Sequence, residues 1–167
     1  ADAGTLFSLM SLGIMAASVI FGPVVDRYGY RGILSIAVAL VFVGIEGIAF
    51  APSPAILAAA VLLIGFGGGI INGGTNALVA DLSAGRRSAG LNLLGVFFGI
   101  GAFGLPLVLG LLLDSLGYTV VLAAMGALVG AVLIFFLSIR FPAAKQPQSF
   151  PLRDARGLLR DPVILLL

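Results

Sequence analysis

The sequence contains no cysteine, no histidine and no tryptophan, and charged residues are scarce. Without cysteine the chain forms neither disulfides nor thiolate metal sites, and without histidine it lacks the commonest general base and metal ligand. Nine Lys/Arg and seven Asp/Glu make up 10% of the 167 residues, whereas a soluble domain carries about 25% charged residues. These few charges cannot cover the surface of a water-soluble globule. Disorder is excluded as well, because it requires low hydrophobicity and high charge.

Apolar residues and glycine are abundant instead. The chain is 60% hydrophobic with a mean hydropathy of +1.22, so lipid is the solvent that suits its surface. It has 24 glycines, about twice the usual frequency, which favours transmembrane helices that pack through small faces. The sequence contains no Walker A loop, carboxylate pair, nucleophile–base set or metal-ligand cluster. We therefore expect a membrane protein that is not an enzyme, uses no cofactor or metal and binds no nucleic acid.

Long apolar runs predict five transmembrane helices, because a helix needs roughly 20 apolar residues to cross a hydrocarbon core of about 30 Å. They cover approximately residues 4–25, 32–50, 54–80, 89–113 and 119–141. Residues 162–167 form the start of a further apolar run. The predicted fold class is an all-α, polytopic membrane helical bundle. Since the chain begins without Met and ends within an apolar run, we expect it to be the middle of a longer protein.

All nine basic residues fall in alternate joints between these helices. Two lie in the first joint, two in the third and five after the fifth helix: Arg27 and Arg31; Arg86 and Arg87; and Arg140, Lys145, Arg153, Arg156 and Arg160. By the positive-inside rule these three joints are cytoplasmic, and we expect the inner (plasma) membrane of a bacterium. Segment 142–161 is predicted to be a cytoplasmic linker with a short helix held against anionic lipid, or else an exposed loop.

The first joint, residues 22–31, has the most specific pattern in the chain. Gly22 would let a neighbouring backbone approach, and Gly29 permits a tight reversal that a Cβ would hinder. Asp26 can accept hydrogen bonds from a nearby helix N-terminus, while Arg27 and Arg31 hold the turn at the inner lipid surface. On these grounds alone, the joint could equally be an ordinary cytoplasmic hairpin whose charges set the topology.

This joint also resembles the signature of the major facilitator superfamily, G-x-x-x-D-R-x-G-R-[K/R]. The matching residues are Gly22, Asp26, Arg27, Gly29 and Arg31, whereas Tyr30 stands where the family usually has a basic residue. The resemblance implies part of the N-terminal half of that fold, helices two to six and the start of seven, with the missing helices as partners. It also implies that Asp26 and Arg27 form a gating bridge between the two halves of a secondary transporter, supported by Gly22 and Gly29.

Asparagines within the predicted third and fourth helices are the main candidates for contact with a solute. Asn72 and Asn76 are four residues apart and share a helical face, beside a stripe formed by Gly65, Gly69 and Gly73. Asn72 lies about 12 Å from the inner end of its helix, near the depth of transporter sites. Asn72, Asn76 and Asn92 are predicted to line a substrate cavity. Alternatively, they clamp neighbouring helices together, which is the simpler explanation for Asn76 and Asn92.

These asparagines also resemble a pattern of the fucose-permease-like sugar transporters. That branch has Glu-x-x-x-Asn on helix four and Leu-Asn on helix five, which Asn76 and Asn92 match. Asn72 replaces the glutamate, the natural proton carrier, and Phe98 replaces an asparagine. The drug-antiporter motif of helix five is broken around Pro106, although glycines near this proline would allow a gating kink, or simply close packing.

Glu46 is the only acid well inside a predicted helix, roughly 7.5 Å from the helix centre. It is either a proton relay or a structural residue near the outer interface. Together these observations predict a secondary active transporter that moves a small polar solute, a sugar or another organic metabolite, in contact with membrane lipid. The alternatives are a non-transporting helical scaffold and a drug or metabolite antiporter of the same superfamily.

Overall fold

The structure, a computed structural model, describes residues 2–83 and 85–142, which are helical throughout apart from short joints. The helices are α1 (Ala3–Ala49), α2 (Pro54–Leu82), α3 (Arg87–Leu116) and α4 (Tyr118–Ser138). Over these residues, five segments are long and apolar enough to cross a membrane: Ala3–Gly22 and Tyr28–Ala49 within α1, and α2, α3 and α4. The all-α membrane bundle predicted from the sequence is confirmed. Of the predicted linker 142–161, only Pro142 is described, and the run 162–167 lies outside the described residues.

Helix α1 changes direction at Gly29, within the predicted first joint. Gly29 has φ 75° and ψ 170°, while the residues on either side are helical, so the joint is a kink rather than an extended turn. A positive φ of this size is readily adopted only by glycine. We call Ala3–Gly22 the first arm of α1 and Tyr28–Ala49 the second arm.

The predicted glycine stripe of α2 packs against the first arm. A Cβ added at Gly69 would lie 2.8 Å from the Cβ of Ala17, which is too close for any real side chain. The three contacts of the stripe are Gly65 with Met10, Gly69 with Ala17, and Gly73 with Phe21. Because both residue numbers rise together, the first arm runs parallel to α2.

A second set of glycines on α2, not expected from the sequence, receives the second arm. A Cβ at Gly67 would lie 2.6 Å from the carbonyl oxygen of Ala37, and one at Gly74 would lie 2.6 Å from the Cδ2 atom of Leu34. The order of these contacts is reversed, so the second arm runs antiparallel to α2. Leu34 is fully buried at the centre of the resulting core.

Helix α4 packs antiparallel on the second arm, and α3 packs against α2 and α4. Phe42 lies over Gly130, and nearer the other end of α4, Gly126 accommodates the side chain of Glu46. In contrast, α3 has no buried residue. Gly90 packs against Ser83. The close packing that one interpretation of the sequence suggested for the glycines around Pro106 is not seen in the described structure, because a Cβ added at any of the five between 95 and 110 would meet nothing within 4 Å.

Candidate solute-binding site

A cavity of about 300 Å³ lies between α2 and α3. This volume is at the lower end of the range of about 300–1,000 Å³ for small-molecule pockets. The residues that line it are Gly68, Ile71, Asn72, Thr75 and Asn76 of α2, and Leu91, Leu94, Gly95 and Phe98 of α3. All polar side chains of this lining come from α2, whereas α3 contributes an apolar wall.

The two predicted asparagines of α2 are joined by hydrogen bonds. Nδ2 of Asn76 donates to the backbone oxygen of Asn72 over 2.8 Å and to its Oδ1 over 3.2 Å. Since a backbone carbonyl can only accept, this contact assigns the amide orientation of Asn76. Oδ1 of Asn76 and Nδ2 of Asn72 have no hydrogen-bond partner within the described structure, and both side chains are exposed.

Thr75 adds a hydroxyl to the same wall. Its Oγ1 donates to the backbone oxygen of Ile71 over 2.7 Å, an i to i−4 bond that is common for threonine in helices. Because its hydrogen is used in this way, the oxygen can act towards the cavity as an acceptor through its lone pairs. The wall therefore presents both donors and acceptors.

The helical period explains why α2 places these groups together. Residues 68, 72 and 75 follow the spacing of three and four residues that brings side chains to one face of a helix. The glycine stripes at 65–69–73 and at 67 and 74 occupy the other faces, where the two arms of α1 pack. Two faces of α2 thus pack against the two arms of α1, and the third face lines the cavity. Gly68, near the midpoint of α2, lies on this third face.

Asn92 and Glu46 do not join this site. Asn92 is exposed on α3 and does not line the cavity. The carboxylate of Glu46 contacts Gly126 of α4: a Cβ added at this glycine would lie 2.7 Å from the Cδ atom of Glu46. Glu46 is therefore at the α1–α4 interface, away from the α2–α3 cavity.

Hydrogen bonds from the described side chains of the signature segment join helices. The hydroxyl of Tyr30 donates to Oδ2 of Asp81, near the end of α2, over 2.6 Å. Nη2 of Arg31 donates to the backbone oxygen of Leu137, in the last turn of α4, over 2.6 Å. The side chains of Asp26 and Arg27 lie outside the described part of the structure.

Among the described residues, Gly22 has no close neighbour. Gly22 was expected to admit a close neighbouring backbone, but a Cβ added there would meet nothing within 4 Å among the described atoms. The tight packing occurs earlier in the arm, where a Cβ at Gly13 would lie 2.7 Å from the backbone nitrogen of Phe66.

Sequence reasoning missed several residues of these sites. Thr75 and Gly68 were detectable, since both follow the helical spacing of Asn72. The apolar wall of α3 carries no such signal, because Leu91, Leu94 and Phe98 resemble any lipid-facing residues. The pairing of Tyr30 with Asp81 joins positions 51 residues apart, and only the packing of α1 on α2 brings them together.

Comparison with known proteins identifies a family. The family model described as "Major Facilitator Superfamily" matches residues 1–167. No curated protein matches the chain.

Proposed function

The chain belongs to the major facilitator superfamily, whose members are membrane transporters, and we propose that it moves a small polar solute as a secondary transporter working by alternating access. The observation that carries this proposal is the α2–α3 cavity. It begins at Gly68, near the midpoint of α2, and includes the amides of Asn72 and Asn76. Transporter sites lie near the membrane midplane, and uncompensated polar groups there are costly without a function.

The signature segment would act as the gate. By resemblance, Asp26 and Arg27 form the bridge between the two halves of the transporter, and Gly29 provides the kink. The hydrogen bonds of Tyr30 and Arg31 support this role, because they tie the segment to the ends of α2 and α4. Movement of this gate in α1 would therefore also be transmitted to α2 and α4.

The proposed orientation places the arginine-bearing joints in the cytoplasm, in agreement with the positive-inside rule. The proposed location is the inner membrane of a bacterium. Within the superfamily, the sugar-transporter branch is favoured by the match of Asn76 and Asn92 to its pattern. We regard Asn92 as a helix clamp or a residue of a wider cavity, since it does not line the pocket between α2 and α3.

Glu46 has a different proposed role from the solute-binding asparagines. It lies against α4 rather than in the cavity, so a proton relay through Glu46 would act by changing the α1–α4 contact and not by direct exchange with the solute.

The proposal is tested by solute counterflow with the full-length protein reconstituted in liposomes. Asn72→Ala and Asn76→Ala should each reduce counterflow at least tenfold, because the amides bind the solute. Ser115→Ala, at the far end of α3, is the matched control and should leave counterflow unchanged. Wild-type rates in both asparagine variants would contradict the assigned site. A wild-type protein that inserts but transports no sugar, organic acid, amine or drug would favour the scaffold alternative.

A further inference from the structure

Building on the proposed transport function, we propose that the α2–α3 cavity selects an uncharged, hydroxyl-bearing solute and that Gly68, facing Gly95, sets the largest solute it admits. Three properties of the cavity lead to this assignment: its lack of charge, the different chemistry of its two walls, and the space beside Gly68.

Among the residues that the structure describes, those that line the cavity include no ionisable side chain. The nearest charged residue along α2 is Asp81, about 7.5 Å beyond Asn76 by the helical rise. Along α3 it is Arg87, about 6 Å before Leu91. A charged solute would lose its hydration in the cavity without gaining a counter-ion, at a high cost in free energy. Binding of an anion or a cation is therefore disfavoured relative to a neutral solute.

The polar wall matches hydroxyl groups in particular. Nδ2 of Asn72 is available as a donor, and Oδ1 of Asn76 and Oγ1 of Thr75 are available as acceptors. A hydroxyl both donates and accepts, so neighbouring hydroxyls on one solute can satisfy this mixed set. A purely apolar solute would cover these groups and leave them without hydrogen-bond partners, which disfavours its binding.

The opposite wall is apolar, and its largest surface is the ring of Phe98, which is 71% exposed. Leu91 and Leu94 continue this wall along α3. A solute that carries hydroxyls on one side and C–H groups on the other fits between the two walls. Its hydroxyls would face the polar wall of α2 and its C–H groups the apolar wall of α3.

Gly68 differs from every other glycine of α2. The remaining five are each in contact with α1, whereas a Cβ added at Gly68 would meet nothing within 4 Å in the described structure. Glycine is less favourable than alanine in a helix, and within the described residues no packing contact at Gly68 offsets this disadvantage. The space that it leaves belongs to the cavity. Gly95, on the facing wall, is also open.

The test for charge uses the full-length protein in liposomes and counterflow of radiolabelled glucose against three unlabelled competitors. These are glucose, gluconate, which is anionic, and glucosamine, which is cationic. Neutral glucose should compete at least tenfold more strongly than either charged probe. Equal or stronger competition by a charged probe overturns the assignment of solute class but leaves the transport function intact. If wild-type protein exchanges none of the neutral or charged probes, the proposed function fails as well.

The test for size uses the series Gly68→Ala, Gly68→Val and Gly68→Leu, with glycerol as the small probe and glucose as the larger one. The ratio of glucose to glycerol counterflow should fall progressively along the series and at least tenfold by leucine. Gly99→Leu is the matched control, because Gly99 is equally open but lies outside the cavity; it should leave the ratio unchanged. The ratio is insensitive to the amount of folded protein. An unchanged ratio in Gly68→Leu, or an equal change in Gly99→Leu, overturns the role of Gly68.

Discussion

The hydroxyl of Tyr30 donates a hydrogen bond of 2.6 Å to the carboxylate of Asp81, joining the kink of α1 to the end of α2. Tyr30 stands where the superfamily signature usually has a basic residue, so a neutral donor here reaches an acid on the neighbouring helix. The tyrosine is buried and its partner is exposed. The contact therefore closes the end of the α1–α2 core that lies beside the Gly29 joint.

Tyr30→Phe should lower the free energy of unfolding by about 0.5–1.5 kcal/mol, the usual net value of one hydrogen bond. Denaturant unfolding of the purified full-length protein measures this change. A double-mutant cycle with Asp81→Ala separates this pair from the other interactions of both residues. If the two single changes are additive in the double variant, the hydrogen bond does not contribute.

Arg31→Ala should loosen the last turn of α4, because the guanidinium donates to the backbone oxygen of Leu137. A cation at a helix C-terminus contributes typically 0.3–1 kcal/mol, so amide hydrogen exchange over residues 134–138 should rise about two- to fivefold. Arg31→Lys is the control, since it keeps the positive charge that sets topology but not the geometry of the guanidinium. Exchange rates that stay at the wild-type level in Arg31→Ala would contradict this contact.

Gly65→Ala should destabilise the bundle by about 1–3 kcal/mol, the usual cost of overpacking. The added methyl would collide with the backbone of Met10, which cannot rotate away as a side chain can. The thermal midpoint of the purified full-length protein reports the change. In Gly99→Ala the methyl enters open space, so this control should be neutral or slightly more stable, by up to about 1 kcal/mol, from helix propensity. Equal midpoints for the two variants would refute the packing role of Gly65.

Gly126→Val should push Glu46 away from α4, since the carboxylate occupies the space where a side chain would begin. The variant should lose thermal stability, and Glu46→Ala in the same protein should restore a large part of the loss by removing the obstructing group. Glu46→Ala alone provides the reference for the comparison. Failure of the double change to recover stability would mean that the two residues do not share this space.

Asp26→Ala should impair transport more than membrane insertion, as the resemblance of the signature to a gate implies. Counterflow at equal expression measures transport, and the amount of protein in the membrane fraction measures insertion. Asp2→Ala, at the exposed residue directly before the first arm, is a suitable control for the removal of an acid. Wild-type transport by Asp26→Ala would remove the support for a gating role of this residue.

Part of the helix packing could be predicted from the spacing of glycines in the sequence, and part could not. The stripe Gly65–Gly69–Gly73 was predicted from its period of four, and the structure confirms it as a contact surface. The sequence did not reveal that the first arm is its partner or that Gly67 and Gly74 form a second surface. The described residues leave the space beside Gly22 open. The sequence shows that a glycine is small but not which neighbour uses the space.

Composition and the placement of arginines are sufficient to establish a helical membrane protein, because hydrophobic length and loop charge act locally along the chain. The spacing of Asn72 and Asn76 likewise predicts a shared polar face, since helical geometry relates residues four apart. In contrast, the pairing of Tyr30 with Asp81 and of Glu46 with Gly126, and the position of Asn92 outside the α2–α3 cavity, depend on how the helices pack. Lipid gives all apolar faces nearly the same free energy, so close contacts between small residues, and not hydrophobicity, select which helices meet.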